Sequence, residues 1–106
     1  MIEGKTFFIA GGAGFIGSAL VERIVDKNPV IVYDDFTRNA LQFKGLQGHA
    51  NLTVKEGDIL DRQRLQYAME EADIVVHCAA VAGIDSVIQH PTQTIKINTV
   101  GTINVL

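Results

Sequence analysis

Apolar residues along the chain alternate between short solid runs and spaced stripes. Lys5-Thr6-Phe7-Phe8-Ile9-Ala10 is a β-rich run bounded by glycines, and it predicts a strand buried on both faces. From Phe15 to about Lys27 the spacing changes. Ile16, Ala19, Leu20, Arg23, Ile24 and Lys27 fall at helical intervals, with the apolar members on one stripe. Asn28-Pro29 closes that helix, because Pro cannot continue the ladder. Val30-Ile31-Val32-Tyr33 reads as a second buried strand, stopped by Asp34-Asp35. Phe36 to Ala50 has weak periodicity and reads as a loop with one short helix around Asn39 to Phe43. Leu52 to Glu56 predicts a third strand, broken by Gly57-Asp58. Asp61 suits the N-cap of a helix from about Arg62 to Met69 or Glu70. Ile74 to Cys78 is the fourth strand. A small-residue loop, Ala79 to Gly83, leads into a polar stretch ending at His90. Pro91 then suits the first turn of a last helix carrying Ile95, Asn98, Thr102 and Val105 on one face.

Strands separated by helices imply right-handed crossovers and a parallel sheet. The expected fold is therefore α/β, a doubly wound parallel sheet in three layers with about four strands present. Composition narrows the function classes. The 106 residues allow one compact domain, and 47% hydrophobic content with a formal charge of −3 excludes a disordered tail. A mildly acidic chain whose Lys5, Arg23, Arg38, Lys55 and Arg62 are scattered is no electrostatic partner for nucleic acid or anionic lipid. No run approaches the roughly 18 apolar residues that span a bilayer, and the run after Lys5 ends at Ala10, too soon for a signal peptide. The single cysteine, Cys78, forms no internal disulfide and supplies no metal-ligand spacing, so a cytoplasmic protein without a metal is expected. The last helix is still apolar and periodic at Asn104-Val105-Leu106, which reads as a chain cut inside a helix.

The chemistry concentrates at Ala10-Gly11-Gly12-Ala13-Gly14-Phe15-Ile16-Gly17. Gly11, Gly14 and Gly17 follow a predicted strand and open a predicted helix. That placement aims unpaired backbone N–H groups and the positive helix end at a diphosphate. Gly11 is expected to allow the tight turn, Gly14 the approach of phosphates, and Gly17 close packing of the helix on the sheet. Asp34 ends the second strand 17 positions beyond Gly17. This is near the roughly 20-residue interval at which a carboxylate accepts hydrogen bonds from the adenosine ribose. Such a carboxylate repels a 2′-phosphate and favours NAD over NADP. Asp35 competes for the same task, and Arg38 stands where it can soften the exclusion of NADP.

Gly11 to Ser18 resembles the glycine signature of the extended short-chain dehydrogenases/reductases, among which the NAD-dependent nucleotide-sugar epimerases and dehydratases are the largest group. Val32-Tyr33-Asp34-Asp35-Phe36 is similar to the family's strand-two acid, and Glu56-Gly57-Asp58-Ile59 to its Gly-Asp-aliphatic element. Val75-Val76-His77-Cys78-Ala79-Ala80 resembles the aliphatic-His-x-Ala-Ala motif, and Asn98-Thr99-Val100-Gly101-Thr102 the Asn-x-x-Gly-Thr motif. The resemblance implies a Rossmann-like fold binding NAD. It places the adenine against Asp58 and the amide of Ile59, and Ala79, Ala80 and Ala82 beside the second ribose and phosphates. Phe15, Ile16 and Cys78 join these as candidate contacts. Asn98 is expected to steady the strand-four loop or an active-site water near the nicotinamide, and Gly101 to let its helix approach the sheet. Cys78 is read as a buried structural thiol, His77 as a structural histidine pointing away from it, and His49 and His90 as exposed. Asn51-Leu52-Thr53, although a glycosylation sequon, is read as coincidence.

One family element is not found. The catalytic Tyr-x-x-x-Lys pair has no match, since Tyr33 is followed at the fourth position by Thr37 and Tyr67 by Glu71. The resemblance thus implies the N-terminal, cofactor-binding portion of an enzyme that oxidises and re-reduces a nucleotide sugar by hydride transfer to NAD, without the catalytic pair or substrate region. By itself this portion is expected to be inactive. The loop Val81 to Val87, with Asp85 and Ser86, is expected to border the sugar. Members commonly dimerise through helices, which makes the final helix a candidate homodimer face. Two alternatives stay open: another extended reductase with a non-sugar substrate, and a non-catalytic dinucleotide-binding module.

Overall fold

The computed structural model describes residues 2–80 and 84–106, with side chains left out at 84–86. Elements follow in the order β1 (Phe7–Ala10), α1 (Phe15–Ile24), β2 (Val30–Asp34), a 3-10 turn (Leu41–Phe43), β3 (Leu52–Glu56), α2 (Arg62–Met69), β4 (Ile74–His77), α3 (Ile84–Gln89) and α4 (Pro91–Val105). The four strands are parallel in the order β3-β2-β1-β4. Phe7 is level with Val30 and Ile74, and Val30 with Leu52.

Strand alternation explains the layers. Phe7, Ile9, Val30 and Val32 face α1 and pack with Val21 and Val25. Phe8, Ala10, Ile31 and Tyr33 face the other way, onto Leu65 and Ala68 of α2, with Ile97 and Val105 of α4 packed against them. Both faces of β1 and β2 are covered, so these strands need apolar residues at every position. Full burial of each large side chain is worth about 1.5–3 kcal/mol. Asp61 caps α2 by accepting from Arg64 N at 3.2 Å.

Several expectations change. β1 begins at Phe7 rather than Lys5, and α1 ends at Ile24, its last carbonyls closed by a turn in which Asn28 Nδ2 donates to Ile24 O at 3.0 Å. The polar stretch before His90 contains α3. Of the expected α4 face, Asn98, Thr102 and Val105 do turn inward, with Val105 on the core and Thr102 on His77, and only Ile95 departs. Thr94 and Gly101 are the buried residues of α4, whereas Ile95 is 68% exposed. Thr94 can be buried because its hydroxyl donates to His90 O at 2.8 Å, which satisfies the polar group locally. His49 is half-buried and bound to Asp26 at 3.0 Å, not free in solvent. The Asn51 amide donates to Val25 O at 2.8 Å. No helix among the described residues is long and apolar enough to cross a membrane.

Candidate functional site

The carboxyl ends of all four strands open into one cavity of about 330 Å³. It lies where the order of strands reverses, between β1 and β4, the position at which doubly wound sheets bind ligands. Gly11 turns the chain out of β1 with φ +80, and a Cβ there would strike the Ala79 backbone nitrogen at 2.5 Å. Only glycine satisfies both demands. Gly12 is held against the Val32 side chain. Gly17 is pressed on the backbone of Gly11 and Gly12, so it lets α1 sit close on the chain as it leaves β1.

Gly14 differs from these. Its missing Cβ would meet nothing nearer than Gly11 O at 3.4 Å, an ordinary contact, and it lines the cavity. The folded chain has no steric use for glycine there; the space beside it is open to the cavity. Gly14 is also the N-cap of α1, makes no side-chain cap, and no acidic residue stands in the first turn. Phe15 and Ile16 are 85% and 73% exposed and do not line the cavity. What they can offer is the N–H groups of the first helical turn, which lack partners in the helix itself.

Asp34 stands opposite, at the end of β2. Its Oδ2 accepts from Ala13 N at 3.0 Å and its Oδ1 from Phe36 N at 2.9 Å. Ala13 O also accepts from Ala40 N at 2.8 Å, so the glycine loop grips the chain after β2 at both ends. Burial pushes the Asp34 carboxyl up, against the two backbone donors that pull it down. Asp35 is exposed on the rim and caps Thr37 N at 3.0 Å. Each carboxylate oxygen keeps a second lone pair for a sugar hydroxyl.

Asp58 and Ile59 form the next wall. Asp58 Oδ1 accepts from Leu60 N at 2.8 Å, while its carbonyl receives the Tyr33 hydroxyl at 2.9 Å. Gly57 has no room for a Cβ beside that tyrosine ring. Tyr33 is buried, lines the cavity floor, and burial raises its phenol above the ordinary value. Ile59 packs under α4, where a Cβ on Gly101 would meet its Cγ2 at 2.7 Å. Gly101 therefore serves contact with Ile59, not with the sheet. Cys78, Ala79 and Ala80 line the β4 side, and burial pushes the Cys78 thiol up.

His77 faces away from Cys78, onto α4, as alternation predicts. Its Nε2 lies 3.0 Å from Thr102 Oγ1, whose proton goes to Asn98 O at 2.6 Å. Nε2 must then carry the ring proton, and burial lowers the imidazole's affinity for a second one. Asn98 is half-buried beside this pair and does not line the cavity. Ala82 and the side chains of Asp85 and Ser86 lie outside the described residues. Among the described residues no cluster of His, Cys, Asp or Glu is arranged to hold a metal.

Of the expected contacts, Gly11, Gly14, Asp34, Asp35, Asp58, Ile59, Cys78, Ala79 and Ala80 share the cavity. The sequence reading missed its far wall, where His90, Gln93, Thr94 and Ile97 line it from the start of α4. No motif marks them. Thr37 and Tyr33 were also missed as lining residues, although a tyrosine one position before the acid must share its strand end.

Residues 7–106 match the family model described as "NAD dependent epimerase/dehydratase family". A UDP-N-acetyl-alpha-D-glucosaminuronate decarboxylase of Bacillus cytotoxicus is 34% identical over 96% of this chain and 32% of its own length. Among solved structures, the UDP-N-acetylglucosamine 4-epimerase of Methanobrevibacter ruminantium has a TM-score of 0.89 at 27% identity, covering 98% of this chain and 33% of that one. The UDP-glucose 4-epimerase of Brucella ovis, in complex with NAD, has a TM-score of 0.79 at 29% identity, covering 95% and 30%. The chain thus spans about a third of the length of the relatives it matches.

Proposed function

Because the chain belongs to the NAD-dependent epimerase/dehydratase family, we propose that residues 1–106 are its cofactor-binding part and that the cavity holds NAD. The observation that carries this reading is the unused space at Gly14, beside an uncapped helix end and across from Asp34. The diphosphate would sit on the N–H groups of Phe15 to Gly17, where the helix end is positive. Asp34 would accept the adenosine ribose hydroxyls, with Asp35 at the rim, and Asp58 and Ile59 would border the adenine. Ala79 and Ala80 leave room for the second ribose. When bound, NAD supplies the hydride acceptor; these residues supply position and charge.

The complete protein, on this reading, oxidises and re-reduces a nucleoside-diphosphate sugar. The printed names of its relatives include both decarboxylases and 4-epimerases of UDP-linked sugars, and the shared demand is a reversible hydride step. The 106 residues alone are expected to bind NAD and to turn over no sugar, since neither tyrosine has a lysine at its fourth position. A cytoplasmic location is part of the proposal, supported by the lone half-buried thiol.

Calorimetric titration with NAD tests the site. Gly14→Val should abolish binding while costing no more than about 1 kcal/mol of stability, because its side chain enters ligand space rather than protein. Asp34→Ala should narrow the preference for NAD over NADP. Undiminished NAD affinity in Gly14→Val would sink the assignment, and an unchanged preference in Asp34→Ala would transfer the role to Asp35.

A further inference from the structure

The chain leaving β2 makes a turn that the sequence does not advertise. Asp34, Asp35, Thr37 and Arg38 all line the cofactor cavity, and Phe36 in their midst does not. Its ring packs instead against the α1-side core, beside Leu41, Leu46 and Leu52. The backbone responds: Phe36 has φ +61, the one non-glycine residue in the left-handed region among those described. L side chains rarely adopt that conformation, and a bulky ring has no intrinsic reason to. Something must hold it there. On one side its N–H donates to Asp34 Oδ1 at 2.9 Å, on the other its partly buried ring packs against the core. An extended residue at this point would carry Thr37 and Arg38 away from Asp34.

We propose that Phe36 is a positioning residue for the adenosine end of the cofactor: its ring, packed against the core, fixes a left-handed turn that presents Asp34, Thr37 and Arg38 to one ribose. This rests on the reading of the cavity as an NAD site. The acid that selects the cofactor is then pre-set by a side chain that packs on the core and does not line the cavity. Binding to a pre-set carboxylate avoids the ordering cost that a mobile loop carries.

The test compares Phe36→Gly and Phe36→Leu by titration with NAD and, separately, NADP. Glycine permits the left-handed turn but cannot anchor it, whereas leucine keeps an apolar anchor. Phe36→Gly should weaken NAD binding about tenfold, the equivalent of 1.4 kcal/mol, and weaken NADP much less, narrowing the ratio. Phe36→Leu should stay within about threefold of wild type for both. A smaller folded fraction would reduce the two affinities equally, so an equal loss in Phe36→Gly overturns the proposal, as does wild-type binding by that variant. If the unaltered chain binds no NAD, the reading of the cavity falls and takes this proposal with it. If it binds NAD and the ratio does not move, the proposal alone falls.

Discussion

Asp34 carries a charge where burial opposes it. Its carboxyl lies above the ordinary value of 3.8, with desolvation the main cause and the Phe36 and Ala13 amides opposing it. The folded chain therefore binds this proton more tightly than the unfolded one. The sign follows: the contribution to stability is full below the unfolded value and is lost as pH rises through the folded one. Cofactor binding runs the other way, since only the ionised form offers every lone pair to ribose hydroxyls. NAD affinity should thus fall on acidification with a midpoint above 3.8, and Asp34→Ala should remove that step from the titration. Persistence of the same step in the variant would assign it to another group. A desolvated carboxylate at the cavity wall is what a binding site keeps and a stability optimum would discard.

At the scale of elements, β3 and α2 start and stop where pattern and capping place them, because Asp61 and Gly57-Asp58 are unambiguous punctuation. The outward turn of Ile95 on α4 has a physical reason. The helix is apolar around much of its circumference, with Ile95, Val100 and Ile103 all outward, so hydrophobicity alone cannot choose its inner face. Two small residues choose it: Thr94, which satisfies its own hydroxyl, and Gly101, which admits Ile59. α3 is hard to read because it is only six residues long, Ile84–Gln89, too short for its Ile84, Val87 and Ile88 to set a period. The glycine loop, strand-two acid and Gly-Asp-aliphatic element were legible because each couples a residue type to a strand end. The α4 wall was not, because it is made by tertiary packing. The Gly101–Ile59 contact gives a prediction at this scale. Gly101→Ala should destabilise the chain by about 1–3 kcal/mol through overpacking. Adding Ile59→Ala, which removes the Cγ2 and Cγ1 atoms nearest that Cβ, should recover part of the loss in urea denaturation. Strict additivity of the two would show that they do not touch.

For the molecule as a whole, the layers on either side of β1 and β2 make the fold, and the loops at one end of the sheet make the cavity. Ligand and fold are then thermodynamically linked. If NAD binds the folded chain alone, a concentration of 100 times Kd should raise stability by about 2.7 kcal/mol, visible as a higher melting temperature that Gly14→Val does not show.

The floor of the cavity also bears on how all of this can be watched. The chain has no tryptophan and two tyrosines. Tyr67 is 77% exposed on the outside of α2, while Tyr33 is buried with its ring 5.8 Å from Phe8 and its hydroxyl on Asp58. Replacing Tyr67 by Phe leaves a single tyrosine to emit, already seated beneath the space assigned to the adenosine. Its emission in the Tyr67→Phe chain should change saturably on titration with NAD and stay flat in the same chain carrying Gly14→Val. The protein thus carries its own optical reporter, with no label needed.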